Sequence, residues 1–140
     1  MDARQRLEEC GIKPSAQRLA IMQYLLDHKT HPTVEEIYSA LSPSMPTLSR
    51  TTVYNTLKLF VDNKVALMLG IEEKTTHFDG DTSLHAHFQC LKCGKIYDIF
   101  LNDLPQLGSV NVGQIGNLQI EETEVYYKGY CNNCLNKKRE

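Results

Sequence analysis

Four cysteines make the sharpest pattern in the chain: Cys90-Leu91-Lys92-Cys93 and Cys131-Asn132-Asn133-Cys134. A CxxC turn brings two thiolates within bonding distance of a common centre, and two such turns complete the tetrahedron zinc prefers. Gly94 follows the first pair and supplies the backbone freedom such a turn favours. About 37 residues separate the pairs, longer than the usual zinc-ribbon spacing. A strand-rich segment therefore lies between them, with its ends tied by the metal. Four thiolates leave no open position, so a Zn2+ ion here is structural. The competing readings are two redox motifs or a pair of disulfides, but a thioredoxin-type motif belongs on a βαβ unit, and none is legible. Cys10 stands apart on a predicted helix and reads as a small, buried or half-buried side chain.

A second set of residues mixes imidazole with carboxylate. His85 and His87 form an HxH pair whose side chains leave one face of a strand together. Asp79 lies six residues before His85, and Asp98 falls on the strand after the first CxxC, an antiparallel partner for the HxH strand. His31 comes from the first half of the chain, just before Pro32. Nitrogen and oxygen donors without sulfur suit Fe2+ or Mn2+, and zinc as well. Each residue also has a plainer reading: a surface aspartate is usually only solvated, and His31 fits a loop or a helix cap. Spacing alone leaves both open. If the residues form one site, His31 connects the two halves of the chain and metal occupancy acts as a switch.

The chain has 140 residues, enough for one large domain or two small ones, and its 41% hydrophobic content is that of a globular protein. Met1 to Glu9 is charged and leads into no apolar stretch, and no run approaches a membrane span or a signal peptide. These features predict a cytoplasmic protein without membrane contact, where paired thiols more often mean metal than disulfide. The net charge is −2, so any DNA-binding face must be local.

The elements that must carry these residues are partly legible. A short helix over Asp2 to Cys10 ends at Gly11. Ser15 caps a helix from Ala16 to about His28, with Leu19, Met22, Leu25 and Leu26 at helical spacing. Thr33 and Glu36 fit a capping box that opens a second, with Val34, Ile37, Tyr38 and Leu41 apolar. Pro43 and Pro46 make Ser42 to Leu48 a loop, after which Ser49 caps a helix over Arg50 to Asp62. Two short extended runs follow, Val65 to Ile71 and Lys74 to Asp79. Helices followed by a hairpin is the order of a winged helix-turn-helix, in which Arg50 to Asp62 enters the major groove. Gly80 to Leu84 reads as a hinge. Beyond it, Ala86 to Cys90, Lys95 to Leu101 and Leu118 to Tyr130 read as strands, the last interrupted near Glu122, and 102–117 has no clear pattern. The predicted fold is α+β: a winged helix-turn-helix over 1–79, a hinge over 80–84, and a small α/β dimerisation and metal-binding domain over 85–140.

The sequence resembles the ferric uptake regulator family over nearly its whole length. The pieces that carry the resemblance are Gly11-Ile12-Lys13 with Gln17-Arg18, His31-Pro32-Thr33, Thr51-Thr52-Val53-Tyr54-Asn55-Thr56-Leu57, His77-Phe78-Asp79, His85-Ala86-His87-Phe88-Gln89-Cys90 and Cys93-Gly94-Lys95. The details look most like the peroxide-responsive branch, which holds Fe2+ or Mn2+ with three histidines and two aspartates. Those ligands map onto His31, His85, His87, Asp79 and Asp98. Iron-uptake regulators typically carry glutamates at the last two positions and Tyr-Arg where this chain has Tyr54-Asn55. The zinc-uptake branch typically has a cysteine near Asp79, and this chain has none. No histidine follows His87, so the extra site some members build with a late histidine is incomplete. One departure is that members usually carry a helix between the two strand groups, where 102–117 is poorly helical.

The resemblance implies a homodimeric, metal-dependent repressor that binds double-stranded DNA at a palindromic operator. Thr52, Tyr54 and Asn55 would face the groove, Arg18, Arg50 and Lys58 the phosphates, and Lys13 the minor groove; for any one of these basic residues, a solvated helix face is the plain alternative. It also implies that peroxide meeting the Fe2+-loaded site oxidises His31 or His85, after which metal and repression are lost. Such a reaction is single-use, so the chain is read as a sensor and not an enzyme. The alternative within the family is an iron- or manganese-homeostasis repressor with the same ligands and no peroxide sensing. Two readings from other classes are a metal hydrolase or oxygenase built on two His and a carboxylate, and a zinc-stabilised dimerisation module that does not touch DNA.

Overall fold

The computed structural model describes residues 2–72 and 74–139, with side chains described through Asn136. The chain divides into two compact units, Met1–Thr82 and Ser83–Glu140. Among the described residues no helix is long and apolar enough to cross a membrane.

The first unit is four helices and a wing. Helix α1 spans Ala3–Glu9, α2 Ala16–Asp27, α3 Val34–Leu41 and α4 Arg50–Asp62. Four side-chain caps start them: Asp2 accepts from Gln5 N–H, Ser15 from Arg18, Thr33 from Glu36 and Ser49 from Thr52. Each closes one backbone donor that a helix start leaves open. The faces they bury form one cluster, with Leu7, Ile21, Met22, Leu25, Ile37, Val53, Leu57 and Phe60 at its centre. Strands β1 (Leu67–Leu69) and β2 (His77–Asp79) pair antiparallel and place Phe78 in that core. Both are shorter than the extended runs predicted over 65–71 and 74–79, because pairing is confined to three residues on each side.

The second unit is a three-stranded sheet in the order β4-β3-β7, from β3 His85–Cys90, β4 Ile96–Phe100 and β7 Tyr126–Gly129. The pair β3–β4 is antiparallel and β3–β7 parallel. The expected strand over 118–130 is two pieces: β6 (Leu118–Gln119) pairs with β5 (Gln114–Ile115) in a separate hairpin, and β7 begins only at Tyr126. Between β4 and β5 lies a single turn of helix, α5 (Leu107–Val110), whose Leu107 is buried. A last helix, α6 (Asn132–Arg139), was not legible in the sequence. Its described side chains offer too few apolar positions to mark a buried face.

Candidate metal centres and nucleic-acid face

Both CxxC turns sit at the end of the β3–β7 pair. Cys90 closes β3, its N–H donates to the Lys95 carbonyl at 3.0 Å, and the N–H of Gly94 (φ +78) returns to the Cys90 carbonyl at 2.9 Å. The Leu91 N–H donates to the Gly129 carbonyl at 2.7 Å, which ties this turn to β7 just before Cys131. Cys131 then leads into α6, and its carbonyl accepts from Leu135 N–H at 2.8 Å. The four sulfurs lie within 4.8 Å of one another, and Cys93 Sγ is 3.9 Å from Cys131 Sγ. A tetrahedron with metal–sulfur bonds of about 2.3 Å has edges of about 3.8 Å, so the cluster has the dimensions of a zinc site. A sulfur–sulfur bond of about 2 Å is far shorter than this contact, and all five cysteines are free thiols, which sets the disulfide reading aside.

The electrostatics of the cluster favour negative charge at one end. Backbone N–H groups of Cys131 and then Cys93 donate to Cys90 Sγ, at 3.4 and 3.5 Å, and lower that thiol to about 6. Cys131 is lowered first by the backbone N–H of Cys134. Cys134 is pushed up to about 12, by sharing a hydrogen bond with Cys131 and then by burial. A central dication reverses that penalty, because it stabilises thiolates outright. The ring of Tyr97, stacked under Lys95 Nζ at 4.9 Å, borders the site and was not singled out from sequence.

The nitrogen–oxygen donors are distributed over both units. In the first, His31 Nε2 lies 3.5 Å from Asp79 Oδ2. His31 sits in the turn before α3 with φ 60, and Asp79 ends β2 with its other oxygen accepting from Asp81 N–H at 2.9 Å. In the second unit, Asp98 stands directly opposite His87 in the β3–β4 ladder. Its Oδ1 lies 3.4 Å from His87 Nε2 and 3.2 Å from His85 Nε2. His85 Nδ1 donates to the Ser83 carbonyl at 2.7 Å, a bond of the kind that fixes the tautomer and orientation of a metal-ligating imidazole. Alternation along β3 puts His85 and His87 on one face and turns Cys90 to the other.

The outward face of α4 carries Tyr54 and Asn55, both exposed, with Thr52 and Lys58 half-exposed beside them. Thr52 Oγ1 accepts from Ser49 Oγ at 2.9 Å, and Lys58 Nζ lies 4.0 Å from Asp62. Lys13 is exposed, and its carbonyl accepts from Arg18 Nη1 at 2.8 Å. Arg50 is already engaged: its guanidinium makes two hydrogen bonds to Glu35, at 2.7 and 3.0 Å, and lies 4.2 Å over the Tyr38 ring. Glu35 and Tyr38 on α3 therefore belong to this face, and nothing in their spacing marks them.

A helix-turn-helix with a two-stranded wing defines a winged-helix DNA-binding protein, here continuous with a sheet closed by four cysteines. The chain belongs to the ferric uptake regulator family, whose model matches residues 9–128. It is 35% identical over 133 residues to the peroxide-responsive repressor PerR of Staphylococcus aureus, covering 94% of this chain and 88% of the relative. Among solved structures it is similar to PerR of Streptococcus pyogenes, described as a structural basis for peroxide sensing and gene regulation. That match has 30% identity and a TM-score of 0.52, and covers 96% of this chain and 94% of that one. It is also similar to the Vibrio cholerae ferric uptake regulator, with 27% identity and a TM-score of 0.69, covering 93% of this chain and 100% of that one.

Proposed function

We propose that the chain is a metal-dependent, DNA-binding transcriptional repressor that responds to hydrogen peroxide. Its regulatory ion would be held by His31, Asp79, His85, His87 and Asp98, and its structural zinc by Cys90, Cys93, Cys131 and Cys134. The observation that carries this reading is the donor chemistry: imidazole Nε2 atoms lie within 3.5 Å of aspartate oxygens in each unit, without sulfur. Such donors suit Fe2+ and Mn2+. When bound, Fe2+ supplies the reducing electron for peroxide, and Mn2+ fills the same donors without that reactivity.

The residues divide the work. His85, with Nδ1 committed to Ser83, and His31, next to Asp79, present the imidazoles read as oxidation-sensitive. The α4 face offers Asn55 and Tyr54 to base edges, with Thr52 beside them, while Lys13, Arg18, Lys58 and Arg50 serve the backbone. The exposed apolar side chains of the second unit, among them Leu101, Val110, Ile115 and Leu118, suit a homodimer surface. Residues 80–84 are read as the hinge between a DNA-binding and a dimerisation domain, and the chain as a cytoplasmic sensor without turnover.

The test compares Fe2+-loaded and Mn2+-loaded protein on a palindromic operator, with and without hydrogen peroxide. Peroxide should abolish DNA binding only in the Fe2+ form and add oxygen to His31 or His85 peptides by mass spectrometry. An Fe2+ form that keeps its DNA affinity with unmodified histidines would leave a metal-homeostasis repressor instead.

A further inference from the structure

His77 belongs to neither ligand set, yet both of its ring nitrogens are engaged. Nδ1 lies 2.8 Å from the backbone carbonyl of His31, and Nε2 lies 2.9 Å from Glu72 Oε2. A carbonyl only accepts, so Nδ1 carries a proton and donates it to His31. The residue it grips is in an uncommon conformation: His31 has φ 60, the left-handed region that costs any residue with a Cβ. The next carbonyl, that of Pro32, accepts from Phe78 N–H at 2.9 Å. Strand β2 therefore holds the 31–32 turn at two successive carbonyls.

Period two along β2 puts His77 and Asp79 on the same face. One strand thus delivers both the carboxylate that lies 3.5 Å from His31 Nε2 and the ring that holds the His31 backbone. Two ligand candidates from distant parts of the chain are set against each other by a third side chain that is itself no ligand. Supporting partners of this kind fix ligand orientation, and their loss typically lowers metal affinity by roughly 10- to 100-fold.

We infer that His77 is a positioning residue for regulatory metal binding, holding the His31 backbone so that His31 and Asp79 meet the ion together. This rests on the His/Asp set being the regulatory site. The test uses the full-length, zinc-loaded protein and Mn2+ alone. An asparagine amide nitrogen reaches about where the imidazole Nδ1 sits, and a glutamine amide nitrogen about where Nε2 sits. His77→Asn therefore keeps the bond to His31 and drops Glu72, while His77→Gln does the reverse.

His77→Gln should weaken Mn2+ binding by about tenfold at unchanged zinc content, and His77→Asn by less than about threefold. In Mn2+-free protein, amide exchange at Phe78, whose N–H is held by the Pro32 carbonyl, should rise in the Gln variant and not in the Asn variant. A generally loosened wing would lower both variants alike, so equal losses overturn the inference. So does wild-type affinity in His77→Gln, or a loss in His77→Asn as large as in Asp79→Ala. The site reading fails separately: if wild-type protein takes up no Mn2+ beyond its zinc, or Asp79→Ala binds it unchanged, the site is gone and the role of His77 with it.

Discussion

Arg6 on the first helix donates from Nη2 to the carbonyl of Gly80 at 2.8 Å, across 74 positions of sequence. The same nitrogen lies 3.1 Å from the Val65 carbonyl and 3.3 Å from Thr82 Oγ1. Gly80 is seated as closely from the other side, since a Cβ there would stand 3.1 Å from Leu25 Cβ and 3.2 Å from the Leu25 carbonyl. The chain just past Asp79 is thus fixed to α1 and α2 before it leaves the helical unit. Arg6→Ala strands two partly buried carbonyls and should cost about 2 kcal/mol, the range of charge-assisted bonds. Gly80→Ala should destabilise as well, because the Leu25 contact is partly backbone. Thermal unfolding of both variants checks this, and wild-type midpoints would show the clamp to be idle.

Helices α1 and α4 end in the same way with different residues. Gly11 N–H reaches the Glu8 carbonyl and Ile12 N–H the Leu7 carbonyl; Lys64 N–H reaches Val61 and Val65 N–H reaches Phe60. Both are Schellman ends, and both need a left-handed residue: Gly11 has φ 76 and Lys64 φ 61. Gly11→Ala should therefore lose about 1 kcal/mol, whereas Lys64→Gly should be neutral or gain up to about 1 kcal/mol. Urea midpoints of the pair decide it, and equal losses would show that the turn conformation is not limiting.

That contrast also shows what was readable. Gly11 announced a helix end because glycine is the usual occupant of that turn, and Ser15, Thr33 and Ser49 announced helix starts through their oxygens. Lys64 announced nothing, since its conformation is imposed by Val65 and Phe60 packing in the core. The HxH spacing put His85 and His87 on one face, and a tight turn at Gly94 set Asp98 opposite His87. Helix α6 and strand β5 carry no periodic apolar face and have no signature in the sequence, while β6 reads only as the start of a longer strand. Contacts such as His77 to His31 or Arg6 to Gly80 depend on tertiary folding and have no local signature at all.

The second unit has little core of its own. Its buried hydrophobic side chains among the described residues are Ala86, Cys90, Ile96, Leu107 and Cys134, two of them zinc-ligand candidates. A unit so thin needs a staple, and structural zinc supplies on the order of 10 kcal/mol in small domains. Cys93→Ser should release zinc, melt the sheet at lower temperature than the helical unit, and shift the protein toward monomer in size-exclusion chromatography. A stable dimer that keeps one zinc per chain would contradict this.

If Arg50 meets the DNA backbone as proposed, Glu35 competes with the phosphate for it. The Arg50 hydrogen bond holds the Glu35 carboxyl below the ordinary glutamate range, so the folded state favours the charged form. A depressed folded value means the pairing is complete above the ordinary glutamate value and is lost as pH falls through the lowered one. At neutral pH the pair is therefore intact, and a phosphate must displace an exposed carboxylate to reach the guanidinium. Exposed pairs are weak, so the exchange is feasible but subtracts from affinity. Glu35→Gln frees Arg50 while leaving Tyr38 beneath it. Operator affinity should rise severalfold at low salt, and the log–log salt slope should steepen by about 0.9, the release expected for one further phosphate contact. A slope unchanged from wild type would mean that Arg50 does not meet the backbone, and a fall in affinity would mean that Glu35 orients it for the contact instead.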